Sequence, residues 1–184
     1  MPEPIENHRI PNAPPDSARV AFRELHARRL HGFALLLVLG DRARAARLAA
    51  DALAAAAERI DTLRHPERAA AWLRQHAVRH AGGERASRPA DPRVLADLGA
   101  DPGVIAALAL LGPRERAALI ASAVEGLDRR DVATIVGRNG ATLDRLLRRA
   151  RGRYVAGYAA VTPPSAGDGP LAARIHAVAE RAMT

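Results

Sequence analysis

The 184-residue sequence predicts an all-α protein made of two small helical domains joined by a linker, and three observations predict it. Ala, Leu and Arg, all good helix formers, dominate almost every segment. Strand-forming residues never alternate over a useful length. Apolar residues recur at helical spacing between capping residues on one side and Gly or Pro on the other. Aromatic residues make up only 3% of the chain, so the cores are expected to be small and aliphatic.

The first stretch, MPEPIENHRIPNAPP, is proline-rich and without periodicity, and residues 1–15 read as a disordered arm. Asp16 or Ser17 can cap a helix carrying Val20, Phe22, Leu25, Leu30, Phe33 and Leu37, with Gly40 as its stop. Asp41 caps the next helix, with Leu48, Leu53, Ala56, Ile60 and Leu63 on one face, and Pro66 opens a third bearing Trp72, Leu73, Ala77 and Val78. These form a first domain over 16–81. Breakers fill GGERASRPADP, so 82–100 reads as a linker, although Asp91 and Asp101 each precede Pro and can start a short helix.

Pro113 opens a helix with Leu119, Ile120 and Val124, which Gly126 closes. Asp128 caps another, with Val132, Ile135 and Val136, and Gly137 permits a turn into a long helix that Asn139 caps. That helix bears Leu143, Leu146, Leu147, Ala150, Tyr154 and Tyr158, completing a second domain over 101–160. Pro163 and Pro164 stop it. In the extension 161–184, Leu171, Ile175, Val178 and Ala182 form one face of a C-terminal amphipathic helix that must dock on one of the two domains.

A net charge of +8 favours a polyanionic partner, nucleic acid or an acidic membrane surface. All 28 basic residues are arginine, whose planar fork suits phosphate and guanine, although a GC-rich genome favouring Arg and Ala codons is the better explanation of the composition. The chain has no cysteine, which excludes a disulfide framework and thiolate metal sites. Its most apolar run, FALLLVL over 33–39, is too short to cross a bilayer, and the acidic, proline-containing start does not resemble a leader. A cytoplasmic protein with no membrane partner is expected.

The short helix after Asp128, the glycine turn and the arginine-bearing helix together make a helix-turn-helix. In this motif the second helix lies in the major groove and the first crosses the backbone. Between 127 and 154 there are eight arginines against three acids, so the motif carries its own basic field. Arg148 and Arg149 follow Arg145 at spacings of three and four, while Asn139 and Thr142 sit at the helix start, where orphan amides attract phosphate. A solvated arginine face on an ordinary bundle helix is the alternative.

The stretch EGLDRRDVATIVGRNGATLDRLLRRARGRY resembles region four of bacterial sigma factors of the extracytoplasmic-function type, which usually read EGLSYxEIAxxLGISxGTVKSRLxRAR. Upstream, FRELHARRLHGFALLLVLGDRARAARLAADALAAAAERI followed by HPERAAAWLRQHAVRHA resembles region two of the same factors, in a degenerate version. It reads RAARLAAD where the family has DAEDLVQE, and Ala57 where the family has tryptophan. The resemblance implies a promoter-specificity subunit that binds core RNA polymerase and promoter DNA.

By position, it assigns the upstream, minus-thirty-five element to Arg138, Asn139, Thr142, Asp144, Arg145, Arg148, Arg149 and Arg153. It assigns the minus-ten element to Trp72, Arg74, Gln75, His76 and Arg79, and polymerase binding to Arg47, Ala50 and Asp51. An anti-sigma protein is a further implied partner. Asp144 replaces the family's lysine and can either accept from cytosine N4 or pair with Arg148 in solvent. The alternative function is a degenerate relative that works as a stand-alone DNA binder or protein-interaction module. His76 and His80 lack a third ligand at a known spacing, and no nucleophile, phosphate loop or carboxylate pair stands out. No metal, cofactor or enzymatic activity is expected.

Overall fold

The computed structural model describes residues 15–59, 62–63, 65–82, 91–161 and 172–175. Among these the chain is all-α, with no strand. Residues 1–14 of the arm, residues 83–90 of the linker, the joint after Val161 and most of the C-terminal extension, including Leu171, Val178 and Ala182, lie outside the described residues, as does Ile60.

Helix α1 spans Pro15–Leu37, α2 Arg42–Ala57 and α3 Pro66–Ala81. Short helices α4 (Pro92–Asp97) and α5 (Pro102–Ala109) follow, then α6 (Pro113–Leu119), α7 (Arg129–Val136) and α8 (Gly140–Ala159). Local chemistry sets most starts. The carboxylates of Asp41, Asp91, Asp101 and Asp128 accept from the amides of Arg44, Arg93, Val104 and Asp131 at 2.8–3.0 Å, satisfying donors that a helix start leaves orphaned.

Asn139 departs from this pattern. It occupies the cap position of α8, yet its side chain makes no cap bond. The Thr142 amide bonds instead to the Asn139 carbonyl at 3.1 Å, so a tightened first turn uses the donor that the side chain would have capped.

Beyond α6 the helix widens into a π turn over Ile120–Val124, which the sequence does not announce. The Glu125 amide reaches back to Ile120 O at 3.0 Å and closes it. The turn carries Glu125 to α3, where its two oxygens take the Arg74 guanidinium at 2.6 and 2.5 Å.

One hydrophobic cluster runs from Phe33 in α1 through Leu48, Val78, Leu95, Val104, Leu119, Ile135 and Tyr154 to Ile175. Segments 16–81 and 101–160 therefore share core, with α3 packed on α7. A second cluster around Leu30, Leu53 and Leu73 holds α1, α2 and α3 together. Residues 172–175 form a helical turn whose Ala172 and Ile175 are buried in the shared core. Val20 and Leu25, expected on the apolar face of the first helix, are instead exposed, because α1 meets its neighbours mainly beyond Leu30.

Arginines from other elements reach the carbonyls at helix ends, and α1 and α5 have no basic residue in their own last turn. Arg116 is 2% exposed and donates to Leu37 O at the end of α1, to Leu108 O at 3.0 Å and to Leu111 O at 2.8 Å past the end of α5. Carbonyls at a helix C-terminus have no partner within the helix and carry the negative end of its dipole, so a buried cation fits there. Burial, with Arg44 nearby, brings the Arg116 pKa down to about 10, which leaves it charged at neutral pH. Arg44 in turn is buried and donates to Ala81 O at 2.9 Å, at the end of α3.

Candidate nucleic-acid interface

Helices α7 and α8 meet through a turn in which Gly137 is left-handed (φ 63°, ψ 40°). The inward faces are apolar: Val132, Ile135 and Val136 from α7 pack with Leu143 and Tyr154 from α8. The outward face of α8 is what remains, and Arg138, Asn139, Thr142, Arg145, Arg148, Arg149 and Arg153 are all exposed along it. Packing of the apolar stripe thus turns these seven side chains toward solvent together.

The arginines differ in what holds them. Glu115, at the start of α6, is only 4% exposed and accepts from Arg149 Nε at 2.6 Å, Arg153 NH1 at 2.8 Å and the Gly112 amide at 3.0 Å. Arg153 also donates to Leu110 O at 2.6 Å. Both guanidinium groups are therefore oriented by α6 while remaining more than half exposed. Arg145 makes a single long bond, to Thr142 Oγ1 at 3.5 Å, and keeps most of its donors for a partner.

Within the chain, Asp144 pairs with Arg129 and not with Arg148. Its carboxylate forms a two-pronged pair with Arg129 at the start of α7, and this hydrogen bonding lowers its pKa. Arg148, one turn away, adds a smaller Coulombic pull. Arg129 reaches the first turn of α8 because both residues face the same side of the helix pair, a tertiary proximity that spacing within α8 does not reveal.

The second set of candidates is divided. Trp72 and His76 are half-buried on α3, with ring centroids 5.4 Å apart, and His76 stacks on His80 at 4.2 Å. Arg59 lies over the Trp72 ring at 5.8 Å, within cation–π range. Burial, then the charges of His80 and Arg79, lower the His76 pKa, while Asp51 opposes them. Arg79 is exposed. Arg74, by contrast, is buried and committed to Glu125, and Gln75 donates to Thr134 O of α7 at 2.7 Å. The structure thus turns Arg74 and Gln75 toward the helix-turn-helix.

Arg47, Ala50 and Asp51 lie together on the exposed face of α2. Arg44, a second basic substitution in the RAARLAAD stretch, points inward to Ala81 O and contributes nothing to that face. Among the described residues no group of three His, Asp or Glu could hold a metal ion, and no helix is long and apolar enough to cross a membrane.

This geometry, a short helix, a left-handed glycine turn and a longer helix with an outward basic face, defines a helix-turn-helix of the DNA-binding class. Residues 103–153, α5 through most of α8, match the family model described as Sigma-70, region 4, a non-catalytic DNA-binding domain of transcription initiation. That similarity supports sigma-factor-like DNA binding for the segment. No curated protein and no solved structure matches the chain.

Proposed function

We propose that the protein is a sigma-type regulator of transcription initiation of the extracytoplasmic-function type, with a degenerate region two. In this reading the outward face of α8 reads the upstream promoter element. The observation that carries it is the exposed row of Arg138 and Asn139 in the turn and Thr142, Arg145 and Arg148 on the second helix of a segment similar to sigma-70 region 4. Thr142 and Arg145 lie in the first turns of α8, where a groove-bound helix meets base edges. Arg149 and Arg153, oriented by Glu115, supply phosphate contacts. Core polymerase docks on Arg47, Ala50 and Asp51 of α2, and Trp72, His76 and Arg79 of α3 face the minus-ten strand.

A second reading is favoured by the contact of α3 with α7. Elements at minus ten and minus thirty-five are separated by about 25 base pairs, or about 85 Å at 3.4 Å per pair. Here Arg74 and Gln75 of α3 bond directly to Glu125 and to Thr134. As it stands, this arrangement suits a stand-alone binder of one DNA segment. The polymerase-engaged role requires α3 and α7 to separate.

Both readings place α8 on DNA. Arg145→Ala and Arg148→Ala are expected to weaken binding to a duplex selected from a random pool, each lowering the slope of log affinity against log salt by about 0.9. Unchanged affinity and slope in both variants would remove α8 from the DNA.

A further inference from the structure

Beside α8 lies a half-open cleft of about 810 Å³ whose far wall comes from other elements. Arg79 in the last turn of α3 and Arg114 in the first turn of α6 line it opposite Arg138, Arg145 and Arg149. Five guanidinium groups thus face one space. The single carboxylate in its lining, Glu115, is already saturated by Arg149, Arg153 and the Gly112 amide, so the cleft remains strongly cationic. Arg79 and Arg114 are both exposed.

Resting on the placement of α8 in the major groove, we infer that this cleft holds one phosphodiester strand of the same duplex. Arg79 and Arg114 then extend the DNA surface beyond the helix-turn-helix. A helix lying in a major groove has a phosphate strand along each flank, and contacts to those strands fix its register. The wall formed by α3 and α6 stands along one flank of α8. At about 810 Å³ the cleft is too small to enclose a duplex, and its open side admits one strand.

Two consequences follow. Arg79 contacts DNA as a neighbour of the upstream-reading helix, in the arrangement where α3 rests on α7. The contribution of Arg79 and Arg114 is independent of sequence, because phosphates carry no base information.

The test uses the full chain and fluorescence anisotropy on a selected duplex across a salt series, with Arg79→Ala, Arg114→Ala and Arg145→Ala compared with the parent. Arg79→Ala and Arg114→Ala are expected to lower affinity roughly three- to tenfold, to reduce the salt slope by about 0.9 each, and to do so equally on selected and scrambled duplexes. If these two bind like the parent while Arg145→Ala binds weakly, the strand does not pass through the cleft, and the placement of α8 survives. If Arg145→Ala also binds like the parent, both fall. A loss confined to the selected duplex would overturn the phosphate assignment, and tighter binding of a single strand than of the duplex would overturn the choice of occupant. Circular dichroism melting checks that each variant remains folded.

Discussion

The arginines of this chain divide into groups with opposite tasks. Arg116 and Arg114 are two residues apart, yet the first is buried against three main-chain carbonyls and the second is exposed. Arg116→Ala leaves those carbonyls without donors and is expected to cost about 3 kcal/mol in urea unfolding, whereas Arg114→Ala should stay within about 0.5 kcal/mol. Equal midpoints would remove the capping role. His26 tests a different kind of burial. Desolvation, then Arg74 and Arg29, depress its pKa below the ordinary 6.5. As pH falls below about 6.5, the unfolded chain takes up a proton that the folded chain resists, so stability present above that pH is lost on acidification. The melting temperature should fall between pH 7 and pH 5, and His26→Phe should make that fall shallower; an identical pH profile would exclude His26 as a source.

At the scale of elements, two glycines with positive φ have different reasons for being glycine. Gly137, at φ +63°, has nothing within 4 Å of where a Cβ would stand, so Gly137→Ala pays only for left-handed backbone, about 1 kcal/mol. Gly40, at φ +84°, would place that Cβ 2.5 Å from the Asp91 carbonyl oxygen, where the turn between α1 and α2 meets the start of α4. Gly40→Ala adds this clash to the backbone strain and should cost about 3 kcal/mol, measured as the difference between the two denaturation midpoints. Equal costs would show that the turn can move away from Asp91.

The same scale shows what was legible in the sequence. Asp41, Asp91, Asp101 and Asp128 act as caps where expected, because a cap bonds within three residues of itself. Gly137 and the helix pair around it were legible for the same local reason. Long-range pairing was not. Arg74, Arg116 and Arg44 look no different in sequence from exposed arginines, and their partners lie 51, 79 and 37 residues away. The π turn that delivers Glu125 to Arg74 has no residue signature. Asp144 found Arg129 across the helix pair, a partner that spacing along a single helix cannot supply.

Across the whole molecule, the shared core and the contact of α3 with α7 bring together the two sets of side chains that the sigma-type reading assigns to separate promoter elements. A polymerase-bound form must break the Arg74–Glu125 pair and the Gln75–Thr134 bond and expose part of the α3 face. Docking on Arg47, Ala50 and Asp51 has to offset that cost. A protein that keeps α3 on α7 still has the basic face of α8 and the cleft beside it, and the proposed DNA surface stays intact. Retention of core RNA polymerase by the immobilised full-length chain at moderate salt, with Asp51→Arg as the control, is therefore the most direct measurement. The sigma-type account predicts that the parent chain retains the enzyme and the variant loses it. No retention by a parent chain that still binds its selected duplex would contradict that account and leave a stand-alone DNA binder.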